Sequence, residues 1–366
     1  VVDGFAKQRT FIDQIVHAVQ INFGKQRPAA GFTDHPVIKR FGLPPRQHIA
    51  DIKDHRRRLT HHSPASALLS NPSATSLAAG ALALPTLFHG TVAQAAPANL
   101  ILRAIPKTGE KVPAIGLGTF LTFDIKPGQP RDHLREIMKR FYDGGGRVVD
   151  TSPLYGMSEV SVGDFASSLG ITRDLFITNK TWATGQWLGD NSQALSQLQQ
   201  SMERLWCDKI DVMQCHSLVN VPVIVNIFKE WKKEGRIRYF GVTHHELPYY
   251  GPLAQWVEKG ELDFVQVHYS IHTRQAEERI LPAALDKGVA VLINMPFEKA
   301  RLFKIVEGQK LPGFAKEIGC KNWAQFFLKW VISHPAVTVA IPATTNPDHQ
   351  TENIGALRGP LPDQAM

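Results

Sequence analysis

Cysteines, long apolar runs and clustered metal ligands are all scarce in this 366-residue chain. The three cysteines, Cys207, Cys215 and Cys320, form neither a CxxC pair nor another metal-binding spacing. We therefore expect buried thiols, with a disulfide as the alternative. The 15 histidines are scattered, and adjacent pairs such as His244-His245 have no HxxxH partner. The sequence therefore predicts no metal site.

The chain also lacks an apolar run of the roughly 18 residues that suggest a membrane span, so no integral membrane segment is expected. Its formal net charge of +8 could indicate a nucleic-acid partner, but the charge is unevenly distributed. Residues 1–60 carry 11 Lys and Arg against 5 Asp, whereas residues 61–366 carry 30 Lys and Arg against 28 Asp and Glu. The larger part of the chain therefore has no basic excess typical of nucleic-acid binding.

Residues 1–96 contain no glutamate and no methionine, unlike the rest of the chain. Within them, Arg56-Arg57-Arg58 precedes an uncharged stretch with an apolar segment, Leu77–Phe88, and a small-residue site, Ala93-Gln94-Ala95. This order is typical of a secretory signal, and paired arginines indicate twin-arginine export. We expect export to a bacterial periplasm, with a mature chain beginning near Ala96. The alternative is a cytoplasmic protein whose leader is disordered, processed or wrongly assigned. In that case residues 1–50 need not be part of the natural protein.

From residue 97 onward, buried strands alternate with amphipathic helices. A hairpin comes first, because Leu100–Ala104 and Val112–Pro113 flank a turn at 106–110. Eight strand segments follow and end at residues 119, 150, 180, 216, 243, 267, 294 and 341. The spacing of apolar residues predicts helices at 131–141, 192–205, 224–234, 277–287, 314–318, 322–333 and 352–357.

Eight such units predict an α/β fold, a closed (β/α)8 TIM barrel over residues 97–366 with an N-terminal β-hairpin. A doubly wound open sheet is the alternative. Against it, no G-x-G-x-x-G turn follows the first strand, where Gly116 and Gly118 lie within the strand itself.

Four polar residues stand at or just beyond consecutive strand ends: Asp150, Tyr155, Lys180 and His216. In a barrel these ends share one rim, so the four side chains should surround a single mouth. A cation beside a phenol favours the phenolate and makes the phenol a better proton donor to a developing alkoxide. Lys180 can be that cation, Asp150 can hold it in place, and His216 can orient a carbonyl oxygen.

This set suits the reduction of a carbonyl by hydride from a nicotinamide. The alternative is a structural Asp–Lys ion pair with an unrelated Tyr and His. A Schiff-base aldolase is less consistent with the residues, because Asp150 would keep Lys180 charged.

Several motifs follow one another along the chain in a specific order. They are Gly116-Leu117-Gly118-Thr119, Asp150-Thr151-Ser152-Pro153-Leu154-Tyr155-Gly156, Ile177-Thr178-Asn179-Lys180, Asp211-Val212-Met213-Gln214-Cys215-His216, Gly241-Val242-Thr243-His244 and Ile341-Pro342-Ala343-Thr344-Thr345-Asn346-Pro347. With them, residues 99–360 resemble the aldo-keto reductase family. The resemblance implies Tyr155 as general acid, Asp150 and Lys180 as the pair that tunes it, and His216 as the group that orients the carbonyl.

The resemblance also implies that NADP(H) lies across the rim without a Rossmann fold. The implied cofactor-binding residues are Gly118, Thr119, Thr243, His244, Gln266, Pro296, Phe297, Thr344, Asn346 and Asn353. Of these, Thr243, His244 and Gln266 would hold the carboxamide, and Thr344, Asn346 and Asn353 would line the 2′-phosphate end.

Two positions depart from the family. Asn294-Met295 offers no aromatic ring to stack on the nicotinamide, and Ala343 and His349 stand where Lys and Arg often bind the phosphate. NADP rather than NAD is therefore an expectation from the family alone.

We predict an NADP-dependent oxidoreductase that reduces aldehydes or ketones to alcohols, with a small-molecule carbonyl substrate as its partner. The alternative is a catalytically idle NADP-binding barrel that acts as a sensor or interaction module. An apolar mouth is expected from Phe120, Phe123, Trp182, Trp187 and Leu218, although the same side chains could equally pack between elements. These residues do not specify the carbonyl or the oligomeric state.

Overall fold

A computed structural model describes residues 99–183 and 192–362 of the chain. The predicted leader, residues 1–96, lies outside the described residues, and so does Trp187. The first described elements form an antiparallel hairpin of β1 (Leu102–Ala104) and β2 (Lys111–Pro113), in which Arg103 pairs with Val112.

Eight parallel strands follow, each paired with its neighbour in the sequence. They are β3 (Leu117–Gly118), β4 (Val148–Asp150), β5 (Phe176–Thr181), β6 (Ile210–His216), β7 (Ile237–His244), β8 (Phe264–His268), β9 (Ala290–Asn294) and β10 (Val337–Ala340). The helices are α1 (Asp132–Asp143), α2 (Ser158–Leu169), α3 (Ser192–Leu205), α4 (Val221–Lys233), α5 (Tyr250–Glu258), α6 (Ile280–Lys287), α7 (Arg301–Ile305), α8 (Trp323–Ser333) and α9 (Pro347–Gly355).

The first and last strands join, which closes the barrel. Ile115 forms a parallel bridge with Ala340, and the Gly118 N–H donates to the Pro342 carbonyl at 2.9 Å. A Cβ atom at Gly118 would lie 2.7 Å from the Ile341 carbonyl oxygen, so this close approach requires glycine. The predicted barrel and hairpin are confirmed.

The hairpin contributes to the core inside the barrel. Ile105 and Val112 belong to the same buried cluster as Phe176 and Phe264, whose side chains point into the barrel. These contacts occupy the end at which the strands begin. The strands therefore present their carboxyl ends, and the polar residues found there, at the opposite end.

Three helices, α2, α5 and the short α7, were not predicted. The sequence of α2 is rich in serine and contains Gly163, where a Cβ atom would lie 2.0 Å from the Arg204 carbonyl oxygen, so close packing selects small residues that hide the helical period. In α5, Gly251 and Pro252 read as a turn, but proline is tolerated in the first turn of a helix.

Four predicted helix boundaries were also wrong, and one of them is the start of α4, which lies at Val221 rather than at residue 224. The segment expected to be helical at 314–318 is a short 3₁₀ turn, Gly313–Lys316. The helix expected at 277–287 begins at Ile280 and follows a separate 3₁₀ turn. The last helix begins at Pro347 rather than at residue 352, because Asn346 caps it by accepting a hydrogen bond from the Asp348 N–H at 2.8 Å.

All three cysteines are free thiols, and Cys215 and Cys320 are buried, as expected. The disulfide alternative is therefore wrong. Across the part of the chain that the structure describes, no helix combines the length and apolar character needed to cross a membrane.

Candidate active site

Asp150 and Lys180 form a buried ion pair at the mouth of the barrel. The Lys180 ammonium donates to both carboxylate oxygens of Asp150, at 2.8 and 2.7 Å, and to the Thr151 carbonyl at 2.9 Å. The two residues are only 3% and 1% exposed. Removal of one partner would leave an uncompensated buried charge, so the pair acts as one unit.

Two further donors fix the Asp150 carboxylate. Its Oδ1 atom accepts hydrogen bonds from the Thr178 hydroxyl at 2.7 Å and from the Gln266 side-chain amide at 2.8 Å. Thr178 was not predicted as part of the site. A signal was present, because Thr178 lies two residues before Lys180 on one strand and so faces the same side.

Tyr155 lies over this pair. The Lys180 ammonium is 4.8 Å from the centre of the Tyr155 ring, which also contacts the Phe120 ring at 4.9 Å between centroids. Burial raises the pKa of the Tyr155 phenol; the Lys180 charge offsets part of this rise, and Asp150 adds to it. Burial lowers the pKa of Lys180, but Asp150 and Tyr155 outweigh it and leave the pKa raised.

From the sequence, the Lys180 cation is expected to favour the phenolate and so to ease the loss of the Tyr155 proton. In the structure, desolvation outweighs the cation, and the net pKa of Tyr155 lies above its ordinary value. Tyr155 therefore holds its proton at neutral pH, as a proton donor must.

The turn that carries Tyr155 is held by the loop after β3. Gly156 has φ +60°, a left-handed conformation that favours glycine, and a Cβ atom there would collide with the Asp124 carboxylate. Asp124 accepts a hydrogen bond from the Met157 N–H at 2.8 Å, just before α2 begins. Asp124 was not predicted as part of the site, and it is 33 residues away from this partner in the sequence.

His216 lies beside Tyr155, with ring centroids 6.0 Å apart and nearly perpendicular rings. Desolvation, followed by the charges of Lys180, His245 and His244, lowers the pKa of His216 to about 3. Its imidazole is therefore neutral at physiological pH. The Nδ1 atom is 3.4 Å from the hydroxyl oxygen of Ser152.

The three residues expected to hold a carboxamide differ in their availability. Gln266 already bonds to Asp150, and its amide oxygen accepts from the Thr243 hydroxyl at 3.1 Å. The His244 Nδ1 atom accepts from the Glu246 N–H at 3.1 Å, and the ring stacks on Tyr249. His244 thus retains Nε2 for a ligand, whereas Thr243 and Gln266 are engaged in the network around Asp150.

Other predicted cofactor residues have structural contacts of their own. The Thr119 hydroxyl donates to the Asp150 carbonyl at 2.9 Å, and Gly118 closes the barrel. Pro296 and Phe297 are buried in the loop after β9, where the Phe297 ring contacts Phe303 at 4.9 Å. These contacts place all four residues at the mouth end of the barrel strands.

The C-terminal segment gathers the last group of predicted residues at α9. The Asn346 N–H donates to the Thr344 hydroxyl at 3.0 Å, and Asn346 caps the helix. Asn353 is buried, while Ala343 and His349 are exposed. The N-terminus of a helix carries a partial positive charge, so this segment favours an anion although it has no Lys or Arg at those two positions.

Apolar side chains surround the mouth. Phe120, Leu154 and Trp182 are 46%, 48% and 39% exposed, and Leu218 is partly buried. The expectation for Phe123 was wrong, because its ring is fully buried against Phe165 in the core around the barrel.

Comparisons with known proteins agree with this architecture. The model of the aldo/keto reductase family matches residues 114–366. The NADH-specific methylglyoxal reductase of Escherichia coli (strain K12) is 25% identical over 268 residues, which cover 60% of this chain and 81% of that protein.

Solved structures are similar as well. An aldo/keto reductase from Klebsiella pneumoniae in complex with NADP and acetate is 26% identical with a TM-score of 0.57, over 68% of this chain and 87% of that one. A thermostable aldo-keto reductase in complex with the inhibitor epalrestat is 25% identical with a TM-score of 0.60, over 73% and 97% of the two chains. The chain therefore belongs to the aldo/keto reductase family.

Proposed function

We propose that this protein is an oxidoreductase that uses NADP(H) to reduce a small aldehyde or ketone to an alcohol, with Tyr155 as the general acid. The observation that carries the proposal is the buried Asp150–Lys180 pair beneath the Tyr155 phenol. An ion pair with only a structural role at the surface would not be buried in this way. A phenol without a neighbouring cation would release its proton less readily.

Each residue has a distinct part in this reaction. The neutral His216 imidazole donates a hydrogen bond to the carbonyl oxygen and fixes its position. As negative charge develops on that oxygen, Tyr155 transfers its proton to it, and the Lys180 ammonium stabilises the phenolate that remains. Asp150 keeps Lys180 charged and in place. The nicotinamide, when bound, supplies the hydride that reduces the carbonyl carbon.

The residues present fit a nicotinamide cofactor. The amide oxygen of Asn294, at the end of β9, is buried and has no hydrogen-bond partner among residues 99–183 and 192–362. A buried acceptor of this kind suits the NH₂ group of a carboxamide. His244 offers a further ring nitrogen on the same rim.

The choice of NADP over NAD rests on the C-terminal segment. Thr344 and Asn346 lie at the N-terminus of α9, where a phosphate would be favourable. The Klebsiella pneumoniae relative holds NADP, whereas the Escherichia coli relative is NADH-specific. With Ala343 and His349 in place of stronger cations, we expect a modest preference for NADPH.

The apolar mouth supports a substrate with an apolar or aromatic body. Phe120, Leu154 and Trp182 together expose a hydrophobic rim around the polar group that holds the carbonyl oxygen. Such a pocket pairs a few polar contacts with a largely apolar lining.

The first prediction tests the acid. NADPH should bind, as shown by fluorescence titration, and its absorbance should fall when a panel of aldehydes and ketones is added. Tyr155→Phe should lower kcat by about 10²–10⁴-fold, since a positioned proton donor is lost. NADPH affinity should change little because the ring remains.

A matched control is Tyr142→Phe on α1, whose hydroxyl bonds to Asp174 away from the mouth. It should leave kcat unchanged. A Tyr155→Phe enzyme that turns over at the wild-type rate would refute the assignment of the acid. Tight NADPH binding with no reduction of any carbonyl would instead favour the idle binding module.

A further inference from the structure

We propose that Ser152 is a positioning residue for the reduction: its hydroxyl donates to Nδ1 of His216 and thereby keeps the imidazole proton on Nε2, the nitrogen left for a carbonyl oxygen. This inference rests on the proposed function, because it concerns the group that orients the carbonyl. No side-chain role for Ser152 followed from the sequence.

The hydrogen bonds of Ser152 favour one direction for its contact with His216. The side chain is fully buried, and its oxygen accepts the Leu154 N–H at 3.2 Å. A serine hydroxyl has one hydrogen and two acceptor sites, and Leu154 occupies one of the acceptor sites. Buried polar hydrogens are almost always paired. The His216 Nδ1 atom, 3.4 Å from the same oxygen, can accept this hydrogen.

The protonation state of His216 makes this direction matter. A neutral imidazole carries a single N–H, and the hydrogen bond made by one ring nitrogen sets which nitrogen holds the proton. The environment of His216 keeps it neutral. If Nδ1 accepts from Ser152, the proton lies on Nε2, where it can be donated. With the proton on Nδ1, Nε2 would be an acceptor and would repel a carbonyl oxygen.

Ser152 also belongs to the turn that carries the acid. The Tyr155 N–H donates to the Ser152 carbonyl at 3.0 Å. One residue therefore sets the position of Tyr155 through its backbone and the tautomer of His216 through its side chain. The general acid and the hydrogen-bond donor to the carbonyl oxygen therefore both depend on this one residue.

The test reads the tautomer directly in the resting enzyme. Nitrogen NMR of protein labelled with ¹⁵N-histidine distinguishes a protonated ring nitrogen from an unprotonated one, and a His216→Asn variant assigns the signals. In the wild type, we expect a protonated Nε2 and an unprotonated, hydrogen-bonded Nδ1. In Ser152→Ala, the two nitrogens should shift towards each other as the tautomers mix.

Kinetics provide the second measurement. Ser152→Ala should lower kcat by about 3- to 10-fold, in proportion to the loss of one neutral hydrogen bond, while the Kd for NADPH stays constant. Ser152→Thr keeps a hydroxyl and should restore both the wild-type tautomer and most of kcat. If Ser152→Ala instead acted only by disturbing the Tyr155 turn, kcat would fall while the His216 nitrogen signals stayed unchanged.

Two results would overturn the inference. One is a wild-type spectrum that shows the His216 proton on Nδ1. This measurement does not depend on whether any variant folds. The other is a Ser152→Ala spectrum identical to that of the wild type. Both are measured without substrate, so they are independent of whether a carbonyl is reduced. A confirmed tautomer in a protein that reduces no carbonyl would count against the proposed function and not against the hydrogen bond.

Discussion

At the scale of single residues, burial acts in opposite directions on Tyr155 and Lys180. Removal from water raises the pKa of the phenol and lowers that of the ammonium. Asp150 overcomes the second effect, so Lys180 stays charged, and the charge of Lys180 offsets part of the first. The outcome is a phenol that keeps its proton at neutral pH beside a cation that stabilises the anion formed when the proton leaves.

The second prediction follows from this balance. In Lys180→Met, the group that lowers the Tyr155 pKa is lost, so that pKa should rise further. Oxidation of the alcohol product requires the phenolate, and the rise of its rate with pH should move to higher pH than in the wild type. Reduction requires the protonated phenol, so the rate of reduction should not change with pH near neutrality. The kcat of the variant for reduction should nevertheless fall by about 10²-fold or more.

Because Lys180→Met leaves Asp150 charged and buried, the variant should also lose about 3–5 kcal/mol of stability. Asp150→Asn combined with Lys180→Met removes this imbalance and should recover stability while remaining slow. Pairing the pH profiles with thermal unfolding separates the two effects. If the rate of alcohol oxidation rises over the same pH range in these variants as in the wild type, the role of Lys180 is contradicted.

At the scale of elements, the loop after β3 and the start of α2 are joined by side chains. The Ser158 hydroxyl donates to the Thr119 carbonyl at 3.2 Å, and that of Ser161 to the Phe123 carbonyl at 2.9 Å. Asp124 adds the hydrogen bond to the Met157 N–H. The turn with Tyr155 is therefore held between two elements rather than exposed as a free loop.

The third prediction concerns Asp124. Asp124→Ala removes the acceptor at the start of α2 and should cost about 1 kcal/mol of stability, as the loss of a helix cap does. It should also lower kcat, because Tyr155 lies in the turn that Asp124 holds. Asp124→Asn keeps the Oδ1 acceptor and should behave nearly as the wild type in thermal unfolding and turnover.

Asp132→Ala is the matched control, since Asp132 stands in the first turn of α1 without a side-chain cap hydrogen bond. It should affect stability slightly and kcat not at all. Equal losses of kcat in Asp124→Ala and Asp132→Ala would show that Asp124 has no specific effect on the site.

The fourth prediction concerns the segment before α9. Ala343 and His349 are exposed, so longer cationic side chains can be introduced there without repacking. Ala343→Lys with His349→Arg should tighten NADPH binding by about tenfold through charge-assisted contacts with the 2′-phosphate, and leave NADH binding unchanged. Fluorescence titration of both cofactors measures this. A parallel gain for NADH would place the 2′-phosphate elsewhere.

At the scale of the whole molecule, the barrel opens at one end because the hairpin is fixed to the other. Arg238 on β7 donates to Glu110 at 2.5 Å and to Asp211 at 2.8 Å, which ties the hairpin to two strands. The Tyr239 hydroxyl adds a bond to Glu110 at 2.6 Å. Chemistry at the carboxyl ends of the strands is therefore separate from the contacts that hold the N-terminal end.

The fifth prediction concerns residues 1–98, which lie outside the described structure. We propose that Arg56-Arg57-Arg58 and the apolar segment after it direct twin-arginine export. This route carries folded proteins, which suits a barrel that binds its cofactor before export. N-terminal sequencing of protein from the natural host's periplasm should give a start near Ala96. An intact leader on protein recovered from the cytoplasm, with none outside it, would contradict the proposal.

The barrel and the placement of the four polar groups around its mouth could be predicted from the residues along each segment. Parallel strands are buried on both faces, so each reads as a short apolar run, and the polar residue that ends it marks the rim. The order of Asp150, Lys180 and His216 along consecutive strands follows directly from that alternation. The spacing of apolar residues did not predict α2 or α5. Close packing selects small residues in α2, and α5 begins with a Gly-Pro pair that is typical of a turn.

The effects of these groups on one another could be read only from the folded chain. Gln266 reaches Asp150 from 116 residues away, and nothing local in either segment indicates the bond. The sign of the Tyr155 pKa shift depended on the depth of burial, which the sequence does not give. Phe123 entered the core instead of the mouth for the same reason. Local spacing orders residues along an element, whereas desolvation and long-range hydrogen bonds depend on what the closed barrel brings together.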